Sequence, residues 1–259
     1  MDRKEVKLEN CTYTIGLIIA VMLTVLVLQC VKAANPTGPD SIDIIRNVTK
    51  NSTTTKMLNV SGGRIVTLDV NATVQNVRWK AFVGNVSGKF TLTDPEGATV
   101  FDWSIASMTG RIYATANATA LSWVTINCSN VTSLEWENTK MNHTRSDDNI
   151  TKTFNATINS TEDNLTISGG HAELYVGNRY MPADTCPTLN TYENSLAQDT
   201  DFEEVALYDG GNMIYAAILE EDHAGYNNYK YDFQMIVPEI GLSDFSGATA
   251  YYIYVEIGT

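Results

Sequence analysis

The sequence predicts an all-β protein: an antiparallel β-sandwich of immunoglobulin-like or jelly-roll-like kind, preceded by an N-terminal apolar helix that acts as a signal peptide. Three observations carry this. Between Arg64 and Trp103, Val66, Leu68, Val70, Ala72 and Val74 alternate with Thr67, Asp69, Asn71 and Thr73, the period of a strand with one buried face. Short β-like runs separated by turn residues recur to the end of the chain, and no amphipathic pattern of three helical turns interrupts them. Asn71 opens the triplet Asn71-Ala72-Thr73, an acceptor for an N-linked glycan, on the polar face of the first strand.

Taken in order, Ile15 to Leu28 is uncharged and apolar, short for a membrane span and right for a secretory signal. Arg3, Lys4 and Lys7 precede it, and cleavage is expected after Ala33. The alternative is an uncleaved anchor through residues 15–31. Residues 34–63 read as a polar linker: Pro36, Gly38 and Pro39 break regular structure, and an Asn-Ser-Thr run follows. Within the linker, Ser41 to Ile45 has strand character, suited to a first strand or to addition onto a neighbouring molecule.

The sandwich domain is expected over 64–259. After Val74 come a strand pair at Arg78 to Val83 and Gly88 to Thr93, the tight turn Asp94-Pro95-Glu96-Gly97, and a returning strand at Thr99 to Trp103. Further strands are expected at Arg111 to Thr115, Leu121 to Ile126, Ser133 to Trp136, Phe154 to Ile158 and His171 to Val176. Asp209-Gly210-Gly211-Asn212 marks a hairpin between Val205 to Tyr208 and Met213 to Leu219. Lys230 to Val237 and Thr249 to Ile257 close the chain.

The chain has 259 residues, 44% hydrophobic and 18% charged, enough apolar material for a packed core. Its net charge is -13, and removal of residues 1–33 (four basic, three acidic) leaves -14. Such a surface repels nucleic acid and anionic lipid, so neither is an expected partner; membrane contact is expected only through an uncleaved N-terminal segment. Cys11 and Cys30 leave with the signal. Cys128 and Cys186 remain, and in an exported chain they most simply form one disulfide, with a bridge between two molecules as the alternative.

Glycan-acceptor triplets begin at Asn47, Asn51, Asn59, Asn71, Asn85, Asn117, Asn127, Asn130, Asn142, Asn149, Asn155, Asn159 and Asn164. None of the six later asparagines, Asn178 to Asn228, stands in one. The first part of the mature chain therefore reads as the sugared, exposed part, and the bare C-terminal part as one packed against something.

Catalytic signals are missing. No nucleophile-elbow motif, phosphate-binding glycine loop or Cys/His zinc spacing occurs. His143 lies within a glycan triplet and reads as exposed loop, and His171 as a strand-edge residue. His223 closes the acidic run Glu220-Glu221-Asp222, which reads first as a solvated hairpin tip and second as a divalent-cation site. No metal, no cofactor and no enzymatic activity are expected. Tyr226, Tyr229, Tyr231, Tyr251, Tyr252 and Tyr254 enrich the C-terminal part, and the alternation at its end suggests two faces of one strand.

Several segments carry a resemblance. Gly38 to Ser41, Trp79 to Gly88, Phe101 to Trp103, Cys186-Pro187, Phe202 to Val205, Tyr231 to Glu239 and Tyr251 to Glu256 are similar to an uncharacterised group of exported archaeal surface proteins. The resemblance spans most of the mature chain and implies an archaeal cell-surface β-protein, with no activity and no catalytic residues. The expected role is an exported, N-glycosylated structural or interaction protein of the cell surface, assembling with copies of itself or with an envelope protein. The alternatives are an extracellular carbohydrate- or ligand-binding module and, third, a secreted hydrolase.

Overall fold

The structure, a computed structural model, describes residues 35–50, 54, 56–119, 121–145, 147–155, 170–194, 197–240 and 248–258, with the side chains of 197–200 left out. The signal segment expected over 1–33 lies outside the described residues. In chain order the strands and helices are β1 Trp79–Gly84, β2 Lys89–Thr93, β3 Thr99–Ser104, β4 Gly110–Thr115, β5 Asn127–Cys128, α1 Val131–Lys140, α2 Ile150–Thr153, β6 Leu174–Val176, β7 Arg179–Met181, β8 Thr188–Glu193, β9 Ala197–Tyr208, β10 Met213–Ile218, β11 His223–Ala224, β12 Lys230–Tyr231, β13 Phe233–Pro238 and β14 Tyr252–Ile257. The described fold is mostly β, and its strand pairs are antiparallel.

A six-stranded sheet organises the molecule, in the order β14-β4-β10-β9-β5, with β8 also on β9. The long β9 carries β10 along one edge; β8 and β5 follow one another along the other, opposite Ala197–Val205 and Leu207–Tyr208. Both faces of this sheet are covered, so alternation sorts apolar residues to two sides. Ile112, Ala114, Ala206, Met213, Tyr215 and Ala217 face one cluster, shared with β13 and the two helices. Tyr113, Val205, Leu207, Ile214 and Ala216 face the other, shared with Leu174, Val176 and Met181 of the β6–β7 hairpin. On the first side, β13 packs over β9 and β10 and pairs with β1 to form a separate two-stranded sheet.

Buried polar groups lock the layers. The Glu256 carboxylate accepts from the Tyr113 hydroxyl at 2.5 Å and from Gly177 N at 3.0 Å, pinning the β6–β7 turn to the sheet. Gly110 has φ +131°, and a Cβ there would stand 2.0 Å from Glu256 O, so only glycine lets β4 begin beside β14. At the β9–β10 turn, Asp209 Oδ1 accepts from the backbone N–H groups of Gly211 and Asn212 at 2.9 and 2.8 Å, the geometry behind the expected hairpin.

Several sequence expectations are corrected. Val66 to Val74 is not a strand: it is exposed and pairs with no strand among the described residues. Ser41 to Ile45 forms no strand either. β1 does not pair with β2; it pairs with β13, in register Trp79↔Pro238 to Gly84↔Phe233, while β2 pairs with β3. Leu121 to Ile126 is a turn segment leading into β5. Ser133 to Trp136 is helical, because Asn130 and Ser133 form a reciprocal cap: Asn130 Oδ1 accepts from Ser133 N at 2.9 Å, and Ser133 Oγ accepts from Asn130 N at 2.8 Å. Phe154 ends α2 instead of opening a strand; residues 156–158 lie outside the described residues. From His171 to Val176 only Leu174–Val176 is strand.

Candidate functional site

Ten of the thirteen glycan-acceptor asparagines are described: Asn47, Asn59, Asn71, Asn85, Asn117, Asn127, Asn130, Asn142, Asn149 and Asn155. None is buried; Asn117 and Asn149 are half-buried and the other eight are exposed. Asn51, Asn159 and Asn164 lie outside the described residues. Three acceptors sit in local structures that shape the side chain. The Asn130 and Asn149 caps use Oδ1, accepting from Ser133 N and Lys152 N, and not the Nδ2 that a glycan occupies. Asn117 forms an Asx turn: Thr119 N donates to Oδ1 at 3.2 Å, and Nδ2 donates to Thr119 Oγ1 at 2.6 Å. The bare C-terminal part finds its explanation in the fold. β9, β10 and β13 supply much of the two cores, and a buried strand offers no room for a sugar. What the bare part packs against is its own chain.

Cys128 and Cys186 form a disulfide, S–S 1.94 Å, closing a sequence separation of 58. The bridge ties β5 to the segment entering β8, the two strands that share one edge of β9. Ala206 of β9 serves both neighbours: its carbonyl accepts from Ser129 N at 3.0 Å and its N–H donates to Pro187 O at 2.8 Å.

His171 holds the same corner. It is buried, not at an exposed strand edge. Nε2 accepts from Thr185 N at 3.1 Å and Cys186 N at 2.9 Å, while Nδ1 donates to Ala172 O at 2.6 Å. Two N–H groups aimed at one ring nitrogen require the neutral imidazole, and burial lowers its pKa from the usual value. His143 is also buried, correcting the exposed-loop expectation. Its ring meets Trp79 edge-on at 5.3 Å, and Nε2 lies 2.9 Å from Glu239 O. The adjacent Asn142 is exposed with φ +56°, so the chain turns one residue outward and the next inward.

His223 does gather carboxylates, but from elsewhere in the sequence. Its Nε2 lies 3.3 Å from Glu193 Oε1 and 3.0 Å from Asp201 Oδ2. The three ligand atoms fall within 4.8 Å of one another. One imidazole nitrogen and two carboxylate oxygens form a set that either an imidazolium or a divalent cation would satisfy. The surroundings are strongly acidic. Burial, with Glu220, Asp184 and Asp201 nearby, pushes the Glu203 carboxyl up to about 7, and burial with Asp201 raises Glu220. Beside the run Glu220-Glu221-Asp222 that precedes His223, the sequence holds a second acidic run, Asp199, Asp201, Glu203 and Glu204; β11 pairs only with β12, so it is the tertiary fold that brings Asp201 of β9 and Glu193 of β8 to His223.

A further acid is buried within the first core. Glu204 is completely buried, its Oε2 accepting from Ile236 N at 2.7 Å, and burial pushes its pKa well above the carboxylate range. Its hydrogen bond to Ile236 N supports β13 on β9. Nothing among the described residues sets a nucleophile against a base in an open cleft. Compared with protein-family models, curated proteins and solved structures, the chain matches none.

Proposed function

We propose that this chain is an exported, N-glycosylated structural or interaction protein of the cell surface, built as a β-sandwich and similar to the uncharacterised exported archaeal group it resembles. One observation carries the reading: none of the described acceptor asparagines is buried, and β9, β10 and β13, which supply much of the two cores, hold no acceptor. A disulfide-bonded body is the form expected of a small domain outside a reducing cytosol. Its partners are copies of itself or an envelope protein, and its place is the extracellular surface, reached by the apolar segment before Ala34 as a cleaved signal or a retained anchor. Glycopeptide mass spectrometry of the protein isolated from its source tests this. Saccharide is expected at several of the exposed acceptors, and a native protein without any attached sugar rejects the reading.

The second reading, an extracellular carbohydrate-binding module, is favoured by Tyr226 and Tyr231, stacked at 6.2 Å and 12° beside the exposed Tyr229. A glycan array showing saturable binding that Tyr229→Ala abolishes would select it.

A further inference from the structure

β11 pairs only with β12, yet its first residue, His223, meets two strands of the main sheet. Glu193 closes β8, and Asp201 stands in β9. His223 Nε2 lies 3.0 Å from Asp201 Oδ2 and 3.3 Å from Glu193 Oε1, and the three atoms fall within 4.8 Å of one another. Two of these groups are held in place by neighbours. The imidazole stands edge-on to the buried Phe202 ring, centroids 5.6 Å apart, and Asn194 Nδ2 donates to Glu193 Oε1 at 2.6 Å.

An ion pair and a metal site differ in where the ring nitrogen points. A protonated imidazole would aim its Nε2–H at a carboxylate oxygen. Here Nε2 is shielded from solvent and hydrogen-bonds to neither oxygen, although both are close enough. The oxygens therefore lie off the axis of the ring nitrogen. Oxygens stand there when a cation, bound to the nitrogen lone pair, occupies the axis: ligand atoms about 2.0–2.2 Å from one ion stand about 3 Å apart. Charge agrees. Glu203 and Glu220 lie within electrostatic reach of Asp201, so the two carboxylates stand among further acids.

We infer that Glu193, Asp201 and His223 bind a first-row divalent cation, zinc above all, with the imidazole Nε2 and one oxygen of each carboxylate as ligands. The donor set selects the ion. An imidazole with two carboxylates suits zinc and, more weakly, manganese, whereas calcium takes about six to eight oxygens. Three protein ligands leave at least one position to water or an incoming oxygen ligand, unlike a closed structural zinc site. The side chains of Glu193, Asp201 and His223 are 21, 43 and 35% exposed, so the site is reached from solvent and the ion exchanges. The ion would fasten the β11–β12 hairpin to β8 and β9, and would stabilise the folded chain as its concentration rises. The site needs no partner chain and stands or falls apart from the proposed surface role.

The test titrates the chelator-stripped mature glycoprotein with zinc, manganese and calcium chlorides, followed by calorimetry and by NMR of the histidine rings. Wild type is expected to bind one zinc per chain, manganese at least about tenfold more weakly, and calcium without measurable heat. Zinc should shift the ring signals of His223 and leave those of the buried His143 and His171 in place. His223→Gln and Asp201→Asn should each weaken zinc binding at least about tenfold, with the disulfide and circular dichroism unchanged. Glu221→Gln, which removes an exposed acid outside the cluster, should bind like wild type. Absence of saturable zinc binding to wild type overturns the inference, and so does zinc binding that leaves the His223 ring signals unmoved. Calcium bound as tightly as zinc, or ligand variants that bind zinc as tightly as wild type, overturns it equally. Where a variant fails to fold, the ring signals of wild type decide.

Discussion

Removing the disulfide through Cys128→Ala/Cys186→Ala probes the corner on which both faces of the sheet depend. The closed loop spans 58 residues and contains α1, α2 and the β6–β7 hairpin, which cover opposite sides of the six-stranded sheet. Without the bridge, β5 and β8 lose their covalent tie to one another and keep their ladders to β9. In the chain-entropy account, opening a loop of this length costs about 4 kcal/mol, through the gain in freedom of the unfolded chain. For a domain of this size each kcal/mol moves Tm by about 2–4 °C, so a fall of about 8–16 °C is expected. Guanidinium unfolding of the oxidised wild type and the double variant, with matched glycosylation, measures the difference directly. The midpoint should drop without loss of the folded baseline. A difference below about 1 kcal/mol would refute the reasoning, since it would mean the loop is held equally well in the unfolded state without the bridge.

Three further outcomes follow from the geometry. His171→Ala leaves the Thr185 and Cys186 N–H groups without an acceptor and should cost about 1–3 kcal/mol for each group that water cannot reach. Because burial lowers the folded-state pKa of His171, its contribution is present above about pH 6.5, the unfolded value, and is lost as pH falls below it; urea midpoints across pH should show that loss in wild type and a shallower one in the variant. Glu204→Gln retains an acceptor for Ile236 N and removes an acid whose pKa burial raises, and should change stability by less than about 1 kcal/mol, whereas Glu204→Ala should cost about 2–4 kcal/mol, read by thermal denaturation. Asn130→Ala removes both a cap and a glycan acceptor; Thr132→Ala removes only the acceptor. The first should cost about 1 kcal/mol more than the second in chemical unfolding, and equal effects would show that the cap contributes nothing.

What could be read from the chain alone was whatever depends on near neighbours. Turn chemistry located the β2–β3 and β9–β10 hairpins, because Asp94 and Asp209 close their own turns. The cysteine pair followed from counting, since two thiols in an exported chain have few choices. Alternation correctly assigned Tyr251 and Ile253 to one face of β14 and Tyr252 and Tyr254 to the other. Alternation failed at Val66 to Val74 because a periodic pattern shows that a strand is ready to pair, not that an edge lies within reach. The helix at Val131–Lys140 escaped notice because its signal was a single cap, Asn130 with Ser133, amid residues of strand-like composition. Only the tertiary structure could decide that β1 joins β13 across most of the chain, that His143 and His171 are inside, and that Glu193 and Asp201 meet His223. Those contacts join residues far apart in sequence, and their free energy comes from burial and pairing that exist only once the sheet has formed.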